Sequence, residues 1–236
     1  MSLLSYQPCE HDALCETGTR PTFFTLAGTE LEHLDNIAHD VSHPAGSVIF
    51  REGDPAGGIY LLCSGQVKLT TQSDDHHRMI LKVAKPGDVL GLSAMLNGLP
   101  YEISAETLVP STFKRVGQQA FMNFIRNSAE AGYTTAVELA KEHREVFLGV
   151  RRLSLSSSAS SRVAHILIEF LRSGNPQGGI ASFPLALTHA ELASMAGTSR
   201  ETVTRLLNQF ERNGIISRSN SIITVVQLKR LEQLAN

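Results

Sequence analysis

The stretch from Leu187 to Ile216, LTHAELASMAGTSRETVTRLLNQFERNGII, leaves the chain few ways to fold. Thr188 followed three residues later by Glu191 is the capping-box pattern that opens a helix. Ala196-Gly197-Thr198 supplies a tight turn, with glycine where a left-handed backbone is cheap. A second helix is predicted after Ser199, closed by Asn213-Gly214. At about 100° per residue, Val203, Leu206, Leu207 and Phe210 share one side of it. Arg200, Glu201, Thr204, Arg205 and Asn208 lie roughly opposite. A short helix, a glycine turn and a helix with charges outward is the form of a helix-turn-helix. It is also the form of an ordinary helical hairpin with a solvated charged face, so the rest of the chain must decide.

Charge begins to decide it. The net charge is only −2, but it is unevenly spread. Residues 1–150 carry 11 Lys+Arg against 18 Asp+Glu, a balance of −7; residues 151–236 carry 10 against 5, a balance of +5. That asymmetry is expected when only the C-terminal part meets phosphates. No apolar run reaches membrane-spanning length. The opening MSLLSYQPCEHDALCE lacks a basic segment followed by an apolar core, so no secretory signal is expected. Three widely spaced cysteines do not make a disulfide framework, and the cytoplasm is the expected compartment. Nucleophile elbow, P-loop and metal-catalytic spacings are missing, so an enzyme is not expected.

In chain order, residues 1–25 are polar and broken by Pro8, Gly18 and Pro21, and read as a flexible arm. Leu26 to His39 reads as a short amphipathic helix. From Val41 to Val116, short alternating segments cut by Gly, Pro and Asp predict a β sandwich or barrel. Gln118–Asn127 reads as a helix. Ala129 to about Leu155 follows as a long one, in which Tyr133, Ala136, Ala140, His143, Phe147 and Val150 recur at heptad-like spacing. Such a seam predicts pairing with a second copy. Val137, Leu139, Val146 and Leu153 widen the arc, so part of it is expected against the β domain. Ser-rich 154–161 reads as a hinge with Ser158 as an N-cap, followed by a helix from Arg162 to Ser173. The helix-turn-helix and two strands in IISRSNSIITVV predict a winged helix with a closing helix. The expected class is α+β: a sensor domain at 26–127, a dimerisation helix and hinge at 128–156, and a DNA-binding domain at 157–236.

Gly53, Gly65, Gly87 and Gly91 fall in the pattern F-x-E-G-D…Y-x-L-x-S-G-x-V…K-P-G-D-V-x-G. With the C-terminal motif, this resembles the CRP/FNR family of bacterial transcription regulators over nearly the whole chain. The resemblance implies a jelly roll of the cyclic-nucleotide-binding kind and a homodimer on a palindromic duplex. It also implies contact with RNA polymerase. Arg200, Glu201 and Arg205 would read bases, arginine pairing with guanine and the carboxylate accepting from cytosine. S-R-E-T-V-T-R matches the CRP-type R-E-x-x-x-R; FNR-type members carry an apolar residue in place of Arg200 and Ser in place of Thr204. The implied site is closer to TGTGA…TCACA than to TTGAT…ATCAA. Thr188, Ser199 and Thr202 would either hold phosphates or simply cap helices.

The effector is less legible. Cyclic-nucleotide binders of the family carry Glu after the glycine matching Gly91 and an Arg-Ser pair further on. Here Leu92 and Ser93 follow Gly91, and the Arg-Ser region holds Tyr101 and Glu102. These five residues are the effector-pocket candidates, and a carboxylate there repels an anion, so cAMP in the usual mode is not expected. Cys9 and Cys15 resemble part of the FNR-type cysteine set. Tyr6 stands in place of the preceding cysteine and the jelly-roll position falls near Lys114, so an intact four-cysteine iron–sulfur cluster is not expected. Cys63, in a predicted strand, reads as a small buried hydrophobe. Cys9 and Cys15 remain redox candidates, as a disulfide pair, as metal ligands with His11, or as exposed thiols, and a redox or gas sensor is the alternative reading. His76-His77 reads as a solvated pair in a turn. No metal or haem ligand is assigned.

Overall fold

In the computed structural model, which describes residues 22–72, 78–155, 158–173 and 181–235, short strands come first and helices after. Helix α1 (Gly28–Ile37) leads into β1 (Ala38–His43), β2 (Val48–Phe50), β3 (Gly58–Ser64), β4 (Val67–Gln72), β5 (Arg78–Ala84) and β6 (Val89–Leu90). Helix α2 (Leu92–Asn97), β7 (Ser104–Thr107) and β8 (Ser111–Gly117) complete the unit. Among the described residues these strands form two antiparallel sheets, ordered β1-β8-β3-β6 and β2-β7-β4-β5. The alternating pattern implied a sandwich or barrel, and the structure is a sandwich of the jelly-roll kind that the family resemblance implied. The sheets bury Phe50, Leu62, Val67, Leu90, Tyr101 and Phe113 between them. A second core, with Phe23, Leu34, Ile59, Leu92 and Phe124, lies under α1 and α3 (Gln118–Asn127).

The first helix stops at Ile37, and β1 starts before the expected Val41. The reason is pairing: Ala38–His43 run in register against Val116–Ser111, so long-range hydrogen bonds claim residues whose local pattern is ambiguous.

Helix α4 (Ala129–Leu155) is continuous. One face, with Ala131, Thr134, Thr135 and Glu138, is buried, and Leu139 packs on the core of Phe121 and Phe124. The opposite face carries the seam, where Tyr133, Phe147 and Val150 are 63, 62 and 57 % exposed, and Ala136, Ala140 and His143 are exposed beside them. Of the residues that widen the arc, Leu139 is the one packed on the β domain, while Val146 is 61 % exposed beside the seam. The flank of α4 that faces β5 and the turn before β6 is held by charge instead.

That flank is a clasp around Asp88, which precedes β6. Its carboxylate lies 2.8 Å from Lys82 Nζ of β5 and 2.8 Å from Lys141 Nζ of α4. Lys141 also meets Glu138 and Lys82 also meets Glu145. Burial works to raise the Asp88 carboxyl, but the two lysines outweigh it and bring it down to about 2. Burial raises Glu138, and burial followed by the Glu102 carboxylate raises Glu142.

The C-terminal part comprises α5 (Ala159–Ser173), β9 (Ser182–Pro184), α6 (His189–Ala196), α7 (Arg200–Arg212), β10 (Ile216–Ser219), β11 (Ile222–Val225) and α8 (Leu228–Ala235). Helix α5 starts before the expected Arg162 because Ser158 Oγ accepts the Ser161 N–H at 3.1 Å, capping an earlier first turn. The sheet is ordered β10-β11-β9, a wing whose turn puts Asn220 at φ 53, a conformation asparagine tolerates. Val163, Ile166, Leu192, Val203, Leu207 and Phe210 form its core, which Ile80 of the jelly roll joins.

The two parts meet where α6 docks on β5. Ser194 Oγ donates to the Arg78 carbonyl at 2.9 Å and accepts the Ile80 N–H at 3.0 Å. Lys68 of β4 bridges Glu106 and Glu191 at 2.9 and 2.8 Å. As β5 ends its sheet, one serine hydroxyl satisfies two backbone groups that the sheet leaves open.

Candidate nucleic-acid interface

Both ends of the turn between α6 and α7 are fixed by hydrogen bonds. Thr188 Oγ1 accepts the Glu191 N–H at 3.2 Å, and the Glu191 carboxylate accepts the Thr188 N–H at 2.9 Å, completing the capping box. Gly197, at φ 56, ends α6 in the left-handed region. Arg162 of α5 donates to the Ala196 carbonyl at 2.6 Å, and Leu153 of α4 lies against Gly197. Ser199 then caps α7, accepting the Thr202 N–H at 3.2 Å and sharing a 3.0 Å hydroxyl contact with Thr202.

Capped this way, α7 buries Val203, Leu206, Leu207 and Phe210 and leaves Arg200, Glu201 and Arg205 in solvent. Its outer face forms a shallow cleft of about 590 Å³, lined by Arg200, Glu201, Thr204, Arg205, Asn208, Gln209 and Arg212. Three guanidinium groups and one carboxylate give it a positive balance. The backbone N–H of Glu201 and the Ser199 hydroxyl hold the Glu201 carboxyl below the usual range. It therefore stands as an ionised acceptor at neutral pH, the form that an exocyclic amine requires. Thr204 shares the face, but its Oγ1 lies 2.9 Å from the Arg200 carbonyl and 2.9 Å from His189 Nδ1.

Sequence reasoning missed Arg218 of the wing. Its guanidinium meets the Glu211 carboxylate at 2.6 and 3.1 Å and the Asn208 side-chain carbonyl at 2.7 Å, tying the wing to α7. The opposite signs of Glu211 and Arg218 were the available signal. The turn that brings them together is not encoded in either residue.

Of the effector candidates, the structure brings Gly91 and Tyr101 together and sets Leu92 in a different core. Tyr101 is buried between the sheets, stacked on Phe50 with ring centroids 4.0 Å apart, and its hydroxyl donates to the Gly58 carbonyl at 2.8 Å. Gly91 must be glycine, for it sits at φ 79 and a Cβ there would lie 2.6 Å from the Tyr101 ring. Leu92 belongs to the other core, under α3. Ser93 is half-buried and Glu102 exposed.

Cys63 is half-buried rather than buried, its thiol directed at the Leu61 carbonyl. Tyr6, Cys9, His11, Cys15, His76 and His77 lie outside the described residues. Among the described residues no group of three or more His, Cys, Asp or Glu is placed to hold a metal, and no helix is long and apolar enough to cross a membrane.

Known proteins match both parts. Residues 40–128 match the cyclic nucleotide-binding domain and residues 161–234 the Crp-like helix-turn-helix domain. The chain is 29 % identical to the cyclic AMP receptor protein of Thermus thermophilus, across 91 % of this chain and 96 % of that one. It is 26 % identical to the nitrogen fixation regulation protein FixK of Bradyrhizobium diazoefficiens, across 94 % and 92 %. The structure of FixK2 from Bradyrhizobium japonicum superposes with a TM-score of 0.77 at 24 % identity, covering 85 % of this chain and 98 % of that one. The fold of that structure, the two matched domains and the full-length relatives agree on one lineage: the chain belongs to the CRP/FNR family of transcription regulators.

Proposed function

We propose that the protein works as a homodimer, paired through the α4 seam, which sets α7 of each copy into successive major grooves of a palindromic duplex. One observation carries this reading. Helix α7 is apolar where it meets its own domain and presents Arg200, Glu201 and Arg205 where it does not. Two such helices about one turn, roughly 34 Å, apart read two half-sites. Thr188 and Ser199 cap α6 and α7, and Thr202 meets the Ser199 hydroxyl; in this reading their residual hydrogen-bonding capacity goes to phosphate oxygens. In this reading residues 26–127 sense, 128–156 dimerise and hinge, and 157–236 bind DNA. The protein then acts on RNA polymerase in the cytoplasm and catalyses no reaction of its own.

Gel shifts on TGTGA…TCACA and TTGAT…ATCAA palindromes test the reading, with tighter binding to the first expected and affinity falling steeply with salt. Loss of salt-sensitive binding to every duplex would sink it. Arg205→Ala should cost about 1–3 kcal/mol per half-site and relax the preference at one base pair. An equal loss on all sequences would instead make Arg205 a phosphate contact.

The effector is a molecule other than cAMP bound in the usual way. Tyr101 supports this, since its ring fills intersheet space beside Gly91 and the neighbouring Glu102 repels a phosphate. Calorimetry with cAMP should show no tight binding, and a saturable heat at micromolar ligand would overturn the statement.

A further inference from the structure

Thr204 lies on the exposed side of α7 between Arg200 and Arg205, and the hydrogen bonds around it determine what it can offer a base. Its hydroxyl has one proton. The Arg200 carbonyl and His189 Nδ1 both stand 2.9 Å from Oγ1. If the proton went to Nδ1, two oxygens would face each other at 2.9 Å with no hydrogen between them. Donation to the Arg200 carbonyl avoids that and leaves Oγ1 to accept from a proton on His189 Nδ1. In either arrangement the hydroxyl proton stays within the protein. Threonine branches only once, so with Oγ1 turned back along α7 and across to α6 the Cγ2 methyl is what remains for the cleft. A back-bond to the preceding turn is common for helical threonine and allows more than one rotamer. The cross-helix bond from His189 selects one.

The major groove displays one matching apolar group, the C5-methyl of thymine. We propose that Thr204 reads thymine through methyl–methyl contact and that His189 is the positioning residue that keeps the methyl outward. This rests on α7 entering the major groove. It makes Thr204, which stands where FNR-type members carry Ser, a specificity element flanked by the bases that Arg200, Glu201 and Arg205 read.

The test uses full-length protein and a duplex selected from randomised sequence. Each thymine in the selected half-site is replaced in turn by uracil, which lacks only the C5-methyl. At one position per half-site uracil should weaken binding about fourfold, the worth of one buried methyl, and about fifteenfold when both half-sites are changed. Thr204→Ser keeps the hydroxyl and should bind thymine and uracil equally there. His189→Ala should bring the thymine-to-uracil ratio towards one. His189→Asn, which can still donate to Oγ1, should keep most of the ratio. Uracil tolerated at every position by the native protein overturns the proposal, as does a Thr204→Ser variant that keeps the discrimination. An unchanged ratio in His189→Ala overturns the positioning role. Failure to bind any duplex overturns the α7 reading itself and this inference with it, an outcome plainly different from binding without discrimination.

Discussion

Phe147→Glu is expected to convert the protein from a dimer of twice 25.7 kDa to a monomer of 25.7 kDa, with a fall in DNA affinity of about 10²–10⁴-fold as the two half-sites become independent. Phe147 is 62 % exposed in the single chain, so a charge there should leave the fold intact. In a symmetric pair the same substitution places two carboxylates in an apolar seam, where each would be desolvated beside its like. Sedimentation and far-UV circular dichroism separate the outcomes. A dimer that binds its operator as tightly as the native protein would sink the seam.

The second large effect is expected at Asp88. Asp88→Asn leaves Lys82 and Lys141 facing a neutral group at a site where the native side chain is 3 % exposed. Breaking such a pair from one side costs on the order of 3 kcal/mol, at the lower end of that effect because Glu145 and Glu138 still meet the lysines. The pH dependence follows from the same geometry. The Asp88 carboxyl is lowered from 3.8 to about 2, so its contribution of about 2 kcal/mol is fully present above 3.8 and is lost as pH falls through 2. Glu138 acts oppositely, because burial raises it. Its folded form favours the proton, so acidification relieves a cost there before the Asp88 loss sets in. Stability should therefore rise shallowly on leaving neutrality and then drop, and Asp88→Asn should flatten the drop. An identical acid limb in native and variant urea melts would remove Asp88 from the account.

Local rules made some of this legible in advance. Thr188 with Glu191, Gly197 and Ser199 are caps and turns whose partners lie within a few residues, and the structure has each bond. That Tyr133, Phe147 and Val150 share one exposed face of α4 was legible because helical periodicity alone decides which residues share a face. The Asp88 clasp was not, since Lys82, Asp88 and Lys141 come from a strand, a turn and a distant helix, and nothing local marks them as partners. The sequence marks Tyr101 only as an effector-pocket candidate. Its stacking on Phe50 is a contact that only the assembled sandwich creates. His189 passed unnoticed because its significance depends on the angle at which α6 crosses α7.

The docking of Ser194 on β5 has a consequence for solubility. An uncovered strand edge is a template on which another chain can add its own strand. Here α6 shields part of that edge, engaging the Arg78 carbonyl and the Ile80 N–H through a single hydroxyl. A truncated chain ending after α4 would lose this cover and expose Ile80 along with the open backbone groups. Such a fragment should assemble edge to edge where the whole chain stays dispersed, so the C-terminal part also protects the jelly roll from self-association.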